Sequence, residues 1–380
     1  MTILLLTTVL PGEGSTGGES ASRAFIEALR AAGHRVVVLG YRRAGCSLEP
    51  GPDDWLVGSR PIETRSAGIR PIGWLGAALL LGLPYSLAKY RSRRYRKAVR
   101  VGLARLRPSL VVVDHAQAAC ATPAWGFEVP VAYLAHNVEY RLYEDAAARA
   151  RGPIRWINRR EARRILEVER RLAAGAARVW ALSSADAIEL ERLGAKKPPL
   201  VFALPATVAE APQEPFEHDV AMLGTWSWSA NAVGLRWFVE KVHPLLPPAT
   251  TVAVGGLGAS EVVGDRSGIT CLGRVPDAGD FLAKARVIVV PAVAGAGVQV
   301  KTLDAITTGR PTVATPLAMR GIDDPPPTVR VAEDPRKMAA AVTQMLASPP
   351  GPEETQAARR WAERRRDAFR SAVAEAVTAR

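Results

Sequence analysis

Short apolar runs alternate with amphipathic stretches along almost the whole chain. Ile3–Leu6, Val36–Leu39, Leu110–Val113, Val131–Leu134, Val179–Leu182 and Leu200–Leu204 carry no charged residue. Strands that are apolar at successive positions are buried on both faces, which predicts parallel sheets covered by helices. Helix-period segments lie between them, such as Ser20–Ala32 and Gly152–Ala173. The rhythm pauses at Pro205–His218, rich in Pro, Glu and Ala, which predicts a linker. It then resumes. Strands are predicted at Asp219–Leu223, Thr251–Val254, Ile269–Leu272, Val287–Val290, Thr312–Ala314 and Val329–Val331. Helices are predicted at Asn231–Val242, Asp280–Ala285, Gln299–Thr308 and Pro335–Ala347, and Glu353–Arg380 predicts a long, charged final helix.

This pattern divides the chain into two Rossmann-like α/β domains, 1–205 and 218–350, followed by a terminal helix, 353–380. A chain of 380 residues can bury two such cores. Ligands of such domains bind outside the carboxyl ends of the strands, so residues at strand ends and helix starts are the first candidates for function.

Composition adds a partner class. The net charge of +13 points to something anionic: phosphate groups, a membrane surface or nucleic acid. No recognised nucleic-acid module is present, so that partner is not expected. Cys46, Cys120 and Cys271 are far apart and form neither a disulfide framework nor a zinc spacing, which fits a reducing cytoplasm. Residues 1–10 are apolar but lack a basic n-region, so no secretory leader is expected. The apolar stretch Ile72–Leu83 ends at Pro84 and is followed by Lys89, Arg91, Arg93, Arg94, Arg96, Lys97 and Arg100. It is shorter than the about 20 residues that a span needs. Two readings stay open: a peripheral membrane contact, or a buried helix followed by a solvated basic one.

The first run leads into Gly12-Glu13-Gly14-Ser15-Thr16-Gly17, a literal G-x-G-x-x-G, followed by Gly18. Dinucleotide binding also needs an acid at the end of the next strand for the ribose, or an arginine for a 2′-phosphate. After Val36–Leu39 come Gly40-Tyr41-Arg42-Arg43, which excludes NAD and leaves NADP open. Pro11 and the Gly17-Gly18 pair make the loop longer than a dinucleotide turn. A plain turn, or a loop on substrate or its phosphates through Gly17 and Gly18, are the other readings.

The second half carries the stronger signal. Val287–Val290 ends at Pro291, Gly295-Ala296-Gly297 opens a helix, and Lys301 and Asp304 lie one turn apart in it. Amides at a helix start and a lysine favour a diphosphate, and an acid one turn on accepts hydrogen bonds from ribose hydroxyls. The plain alternative is a surface ion pair between Lys301 and Asp304.

These residues resemble a branch of the family 4 glycosyltransferases of GT-B architecture. The motif G-S-M-D-W-x-P-N…W-F reads here Gly224-Thr225-Trp226-Ser227-Trp228-Ser229-Ala230-Asn231, then Trp237-Phe238. The motif G-x-G-T-R-x-K-x-x-E-A-M-A…G-x-P-V-V-A-T reads Gly295-Ala296-Gly297-Val298-Gln299-Val300-Lys301-Thr302-Leu303-Asp304-Ala305, then Gly309-Arg310-Pro311-Thr312-Val313-Ala314-Thr315. The amino half agrees more loosely, through Gly17-Gly18 and His136-Asn137-Val138-Glu139. The resemblance implies two Rossmann-like domains facing across a cleft, with a C-terminal helix returning to the first. It implies retaining, metal-independent transfer from a nucleotide-diphospho-sugar co-substrate, with no other cofactor. Gly224, Trp228, Asn231, Gly297, Val298, Lys301 and Asp304 would bind the donor, and Arg274 and Val275 would lie near the base. Lys301 would neutralise the diphosphate, Asp304 would hold the ribose, and His136 would sit beside the transferred sugar.

The departures bear on the donor. Asp304 replaces Glu and is shorter by roughly 1.5 Å, and Val298-Gln299 replaces the T-R pair. His115 is either structural or lines the site. Trp226 and Trp228 either stack on a ligand or belong to the core. Arg155, Arg159, Arg160, Arg163, Arg164, Arg170 and Arg171, interleaved with Glu161, Glu167 and Glu169, read as a solvated helix face or one turned to anionic lipid. The expectation is a cytoplasmic glycosyltransferase, peripheral on the inner membrane, acting on a glycan or lipid-linked acceptor in surface-polysaccharide assembly. An NADP-dependent oxidoreductase, or a silent module that binds nucleotide sugars or glycans without transfer, are the competing classes.

Overall fold

The structure is a computed structural model that describes residues 1–12, 16–45, 49–61, 67–122, 127–205 and 216–378. Glu13, Gly14 and Ser15 of the opening loop, Cys46 and most of the predicted linker lie outside the described residues. The chain divides into two compact units, Met1–Phe202 with Arg370–Arg380, and Ala203–Phe369.

The first unit contains β1 (Thr2–Val9), α1 (Gly17–Ala31), β2 (Arg35–Arg43), β3 (Asp54–Arg60), α2 (Arg70–Leu80), α3 (Tyr85–Tyr90) and α4 (Arg93–Leu106). It continues with β4 (Leu110–Asp114), β5 (Val131–Ala135), α5 (Glu139–Arg149), α6 (Gly152–Gly175), β6 (Arg178–Ala181), α7 (Ser184–Arg192) and β7 (Leu200–Val201). The sheet order is β3-β2-β1-β4-β5-β6-β7, every pairing parallel. The fully apolar runs are its central strands: Ile3–Leu6, Val36–Leu39 and Leu110–Val113 are all buried. Strand β3 was not legible in the sequence. It lies at the sheet edge with no residue fully buried, so it carries no apolar run.

The second unit contains β8 (His218–Leu223), α8 (Ser229–Trp237), β9 (Val252–Gly255), α9 (Ala259–Val263), β10 (Ile269–Gly273), α10 (Ala278–Ala283) and β11 (Ala285–Val290). After these come α11 (Val300–Thr307), β12 (Thr312–Ala314), β13 (Val329–Val331), α12 (Pro335–Ala347) and α13 (Pro352–Thr378). The order β10-β9-β8-β11-β12-β13 is again parallel throughout. The predicted helix Asn231–Val242 is α8 followed by a wider, π-type turn over Phe238–Val242. The residues from Arg370 on belong to the first unit, where Arg178 donates to the Ala376 carbonyl at 2.7 Å.

Two helices depart from the sequence expectation. Helix α6 is not a uniformly solvated face. Glu169 is fully buried and accepts from the Glu139 and Tyr140 amides at 2.7 and 3.0 Å, capping α5 from a neighbouring helix. Burial and the nearby Glu139 charge push its carboxyl up to about 8. Glu161, also buried, accepts from the Tyr85 amide at 2.6 Å. The apolar helix α2 is likewise not a core helix, since Ala78 is its only buried residue.

Candidate active site

Each sheet reverses its strand order once, between β1 and β4 in the first unit and between β8 and β11 in the second. At such a point the neighbouring loops diverge and leave a crevice at the strand carboxyl ends. The predicted site residues gather at these two places.

In the first unit, Asp114 ends β4, and His136 follows β5. Pairing of Asp114 with Leu134 sets the register that brings them together. His136 Nε2 lies 2.8 Å from Asp114 Oδ1. Ser22, on α1, donates to Asp114 Oδ2 at 2.7 Å. Burial alone would raise the Asp114 carboxyl; the facing His115 and His136 and these two hydrogen bonds instead hold it well below the usual range. An ionised carboxylate only accepts, so Nε2 of His136 carries the hydrogen and Nδ1 faces outward from the pair. That Nδ1 is buried and has no partner among the described residues. A Cβ on Gly18 would lie 3.9 Å from it and 3.4 Å from His115 Cε1, so the small residue at the start of α1 lets the backbone approach both rings.

His115 belongs to the same cluster. Its ring centroid is 3.7 Å from that of His136. Burial, then the adjacent His136, lowers its affinity for a proton. Its backbone has φ 67 and ψ 153, a region nearly restricted to glycine. Such a conformation costs on the order of 1–3 kcal/mol and survives where the surroundings over-determine it, often at functional sites. Asp114, His115 and His136 offer ligand atoms within 4.8 Å of one another, a spacing a metal ion could also use. The 2.8 Å contact between Asp114 and His136 is a hydrogen bond, which accounts for the pair without an ion. Sequence reasoning missed Asp114 and Ser22, which carry no motif.

Arg43, one of the two cations that kept an NADP site open, is ion-paired to Glu19. This removes it as a free partner for a 2′-phosphate.

In the second unit, the loops after β8, β9 and β11 converge. Lys301 is the second residue of α11, and its Nζ donates to Asn231 Oδ1 at 2.7 Å. Asn231 is held in turn by donating from Nδ2 to the Thr225 carbonyl at 3.0 Å. Lys301 also lies 5.7 Å from the Trp226 ring centroid, within cation–π range. No carboxylate pairs with Lys301 among the described residues, so the surface ion pair with Asp304 is not formed. Burial pulls the Lys301 ammonium down to about 8 and pushes the Asp304 carboxyl up to about 6. Two desolvated, unpaired charges of opposite role on one helix mark a binding site rather than a solvated face.

Trp226 is a core residue: it is buried and donates from Nε1 to the Gly255 carbonyl at 2.9 Å. Trp228 is 67% exposed and free to stack. Gly224 abuts Trp226, and Arg274 is exposed while Val275 packs on Gly255. Gly297 is buried with φ 74, and Val298 precedes α11. Gly256 has φ 112, and a Cβ there would meet the Gly224 carbonyl oxygen at 1.8 Å. Gly256→Ala is therefore expected to cost about 3 kcal/mol through overpacking and backbone strain. The denaturant midpoint of unfolding measures it.

Residues 217–348 match the family described as glycosyl transferases group 1, and residues 16–205 match the glycosyl transferase 4-like domain. The chain belongs to the group 1 glycosyltransferases. The first match ends just beyond α12 and takes in the whole Lys301 site. The second takes in Gly17, Gly18, Asp114 and His136.

This glycosyltransferase is similar in fold to sucrose-phosphate synthase from Thermosynechococcus elongatus, at 17% identity and TM-score 0.69, covering 99% of this chain and 97% of that one. It is similar to WaaG, a glycosyltransferase involved in lipopolysaccharide biosynthesis, at 16% identity and TM-score 0.66, covering all of both chains. It is also similar to Anabaena HepE in complex with UDP and glucose, at 12% identity and TM-score 0.65, again over all of both chains. At these identities the likeness is one of fold: two Rossmann-like domains of the GT-B kind. No curated protein matches the chain in sequence.

Proposed function

We propose that this glycosyltransferase moves a sugar, with retention and without a metal, from a nucleotide-diphospho-sugar to a glycan or lipid-linked acceptor in surface-polysaccharide assembly. The observation that carries the donor half is helix α11, with Lys301 charged, desolvated and unmatched by any carboxylate among the described residues. A diphosphate would supply the missing counter-charge, and Asp304 would accept from the ribose hydroxyls. The similar Anabaena protein was solved with UDP and glucose, which supports a nucleotide diphosphate as the ligand class. Departure of the diphosphate from an oxocarbenium-like centre needs fixed positive charge on the leaving group, which Lys301 and the α11 amides provide. In the first unit, His136 with its Asp114 counter-charge would lie beside the transferred sugar and stabilise positive charge as it develops. Retention and metal independence rest on the family resemblance and on this cationic leaving-group site. The location proposed is the cytoplasmic face of the inner membrane.

A thermal-shift panel with UDP, GDP, their common sugars and NADPH, repeated for Asp304→Ala, tests the donor site. One nucleotide diphosphate is expected to raise the melting temperature of the wild type and not of the variant. A ligand at a hundred times its Kd adds about 2.7 kcal/mol of stability, a shift of several degrees. Stabilisation by NADPH alone would overturn the reading. Activity that survives EDTA, with a product of the donor's anomeric configuration, is the expected result for the reaction itself.

A further inference from the structure

Helix α2 turns its large side chains to solvent. Ile69 is 84% exposed, Ile72 73%, Leu79 56% and Leu80 88%, and Leu75 and Leu81 are each about half exposed. Positions 69, 72, 79 and 80 recur at helical spacing, so they form one stripe. Three more apolar residues, Ile154, Trp156 and Ile157, stand exposed at the start of α6. The two groups are held together. Arg160 donates to the Ala78 carbonyl at 3.0 Å, and Glu161 accepts from the Tyr85 amide, which pins the end of α2 one turn along α6 from Ile157. Two neighbouring groups of exposed large apolar side chains differ from the scattered apolar residues of an ordinary surface.

Along the chain through α2, α3 and α4 the charge is of one sign. No acidic residue occurs between Glu63 and Asp114, a stretch that holds Arg70, Lys89, Arg93 and Arg94. On α6, Arg155, Arg159 and Arg163 follow at i, i+4 and i+8, all exposed, and none has a carboxylate partner among the described residues. Farther along the same helix the pattern changes: Arg170 and Arg171 both pair with Glu167. The unpaired cations are thus concentrated at the apolar end.

We propose that α2 and the first turns of α6 are a docking surface for an anionic lipid bilayer. Among the described residues no helix is long and apolar enough to cross a membrane, so the contact is interfacial. Hydrocarbon and phosphate lie side by side only at a lipid surface, and this patch presents apolar stems and arginines side by side in the same way. Trp156 has the amphipathic ring that favours the headgroup level. The inference stands on this unit's own surface and needs no donor binding, so it can fail while the donor reading holds.

The test is cosedimentation of the full chain with phosphatidylcholine vesicles, with and without phosphatidylglycerol. The wild type is expected to bind the anionic vesicles and to leave the neutral ones largely unbound. Ile72→Ser/Leu79→Ser/Leu80→Ser, which removes exposed side chains and should keep the wild-type melting temperature, is expected to weaken binding about a hundredfold or more. Arg155→Ser/Arg159→Ser/Arg163→Ser is expected to lose about fivefold per arginine at low salt, and little of what remains at high salt. Equal binding by the serine variant, or no binding by the wild type, would overturn the proposal. So would a wild-type dimer in solution that this variant converts to a monomer, since the stripe would then be covered by a second copy.

Discussion

Lys301→Met is expected to lower kcat/KM for sugar transfer by about a hundredfold to a thousandfold, the usual loss when one preorganised group on a developing negative charge is removed. Methionine keeps the stem and removes only the ammonium. The fold should not suffer, because a half-buried, desolvated charge costs stability in the free protein, and Asn231 keeps its bond to the Thr225 carbonyl. The pH dependence separates this role from a structural one. Asp304, held up to about 6 by burial, must lose its proton to accept from the ribose. Lys301, held down to about 8, must keep its proton to meet the diphosphate. The profile of kcat/KM, which reports the free enzyme, should therefore fall below about pH 6 and again above about pH 8. Bound diphosphate stabilises the ammonium, so donor binding at pH 8 takes up protons, and calorimetry in buffers of different ionisation enthalpy measures that uptake. Lys301→Met should lose the basic limb and the uptake together. An unchanged profile would remove Lys301 from the donor site.

Asp114→Asn is expected to lower kcat by about a hundredfold and to leave nucleotide binding unchanged. Asparagine fills the same space and can still accept from His136 Nε2 and meet Ser22, so the geometry survives and the buried negative charge alone is lost. A buried negative charge 2.8 Å from the His136 ring favours positive charge developing on a sugar beside that ring, and in a buried site such an interaction is worth far more than in water. Asp114 acts through His136 and is a positioning residue. Lys301 and Asp304 belong to the other unit, so the thermal shift from a nucleotide diphosphate should be the same in the variant and the wild type. A variant that loses both binding and turnover would have a general structural defect instead.

Strand β11 and helix α11 could be read because an apolar run, a glycine turn and a helical period follow one another within a few residues. Local physics sets each of those. Strand β3 could not be read, because an edge strand with two half-solvated faces has no reason to be uniformly apolar. Glu169 looked like part of a charged helix face. Its burial depends on α5 arriving with two unsatisfied amides, which no property of α6 reveals. The two readings of Trp226 and Trp228 were equivalent in sequence. The carbonyl of Gly255 decides between them by drawing one indole into the core.

The sequence by itself determined two parallel-sheet domains, a basic first half and a helix with Lys301 and Asp304 one turn apart, since burial on two faces, charge and helical period are all written locally. Only the tertiary structure decided which groups those residues meet. Ser22 and Asp114 are 92 residues apart and are joined because β4 lies beside β1, whose chain leads into α1. Asn231 and Lys301 are 70 residues apart and meet because β8 lies beside β11. The exposure of α2 was also undecided until the neighbours of that helix were known, because an apolar helix reads the same whether its stripe faces a core or the solvent.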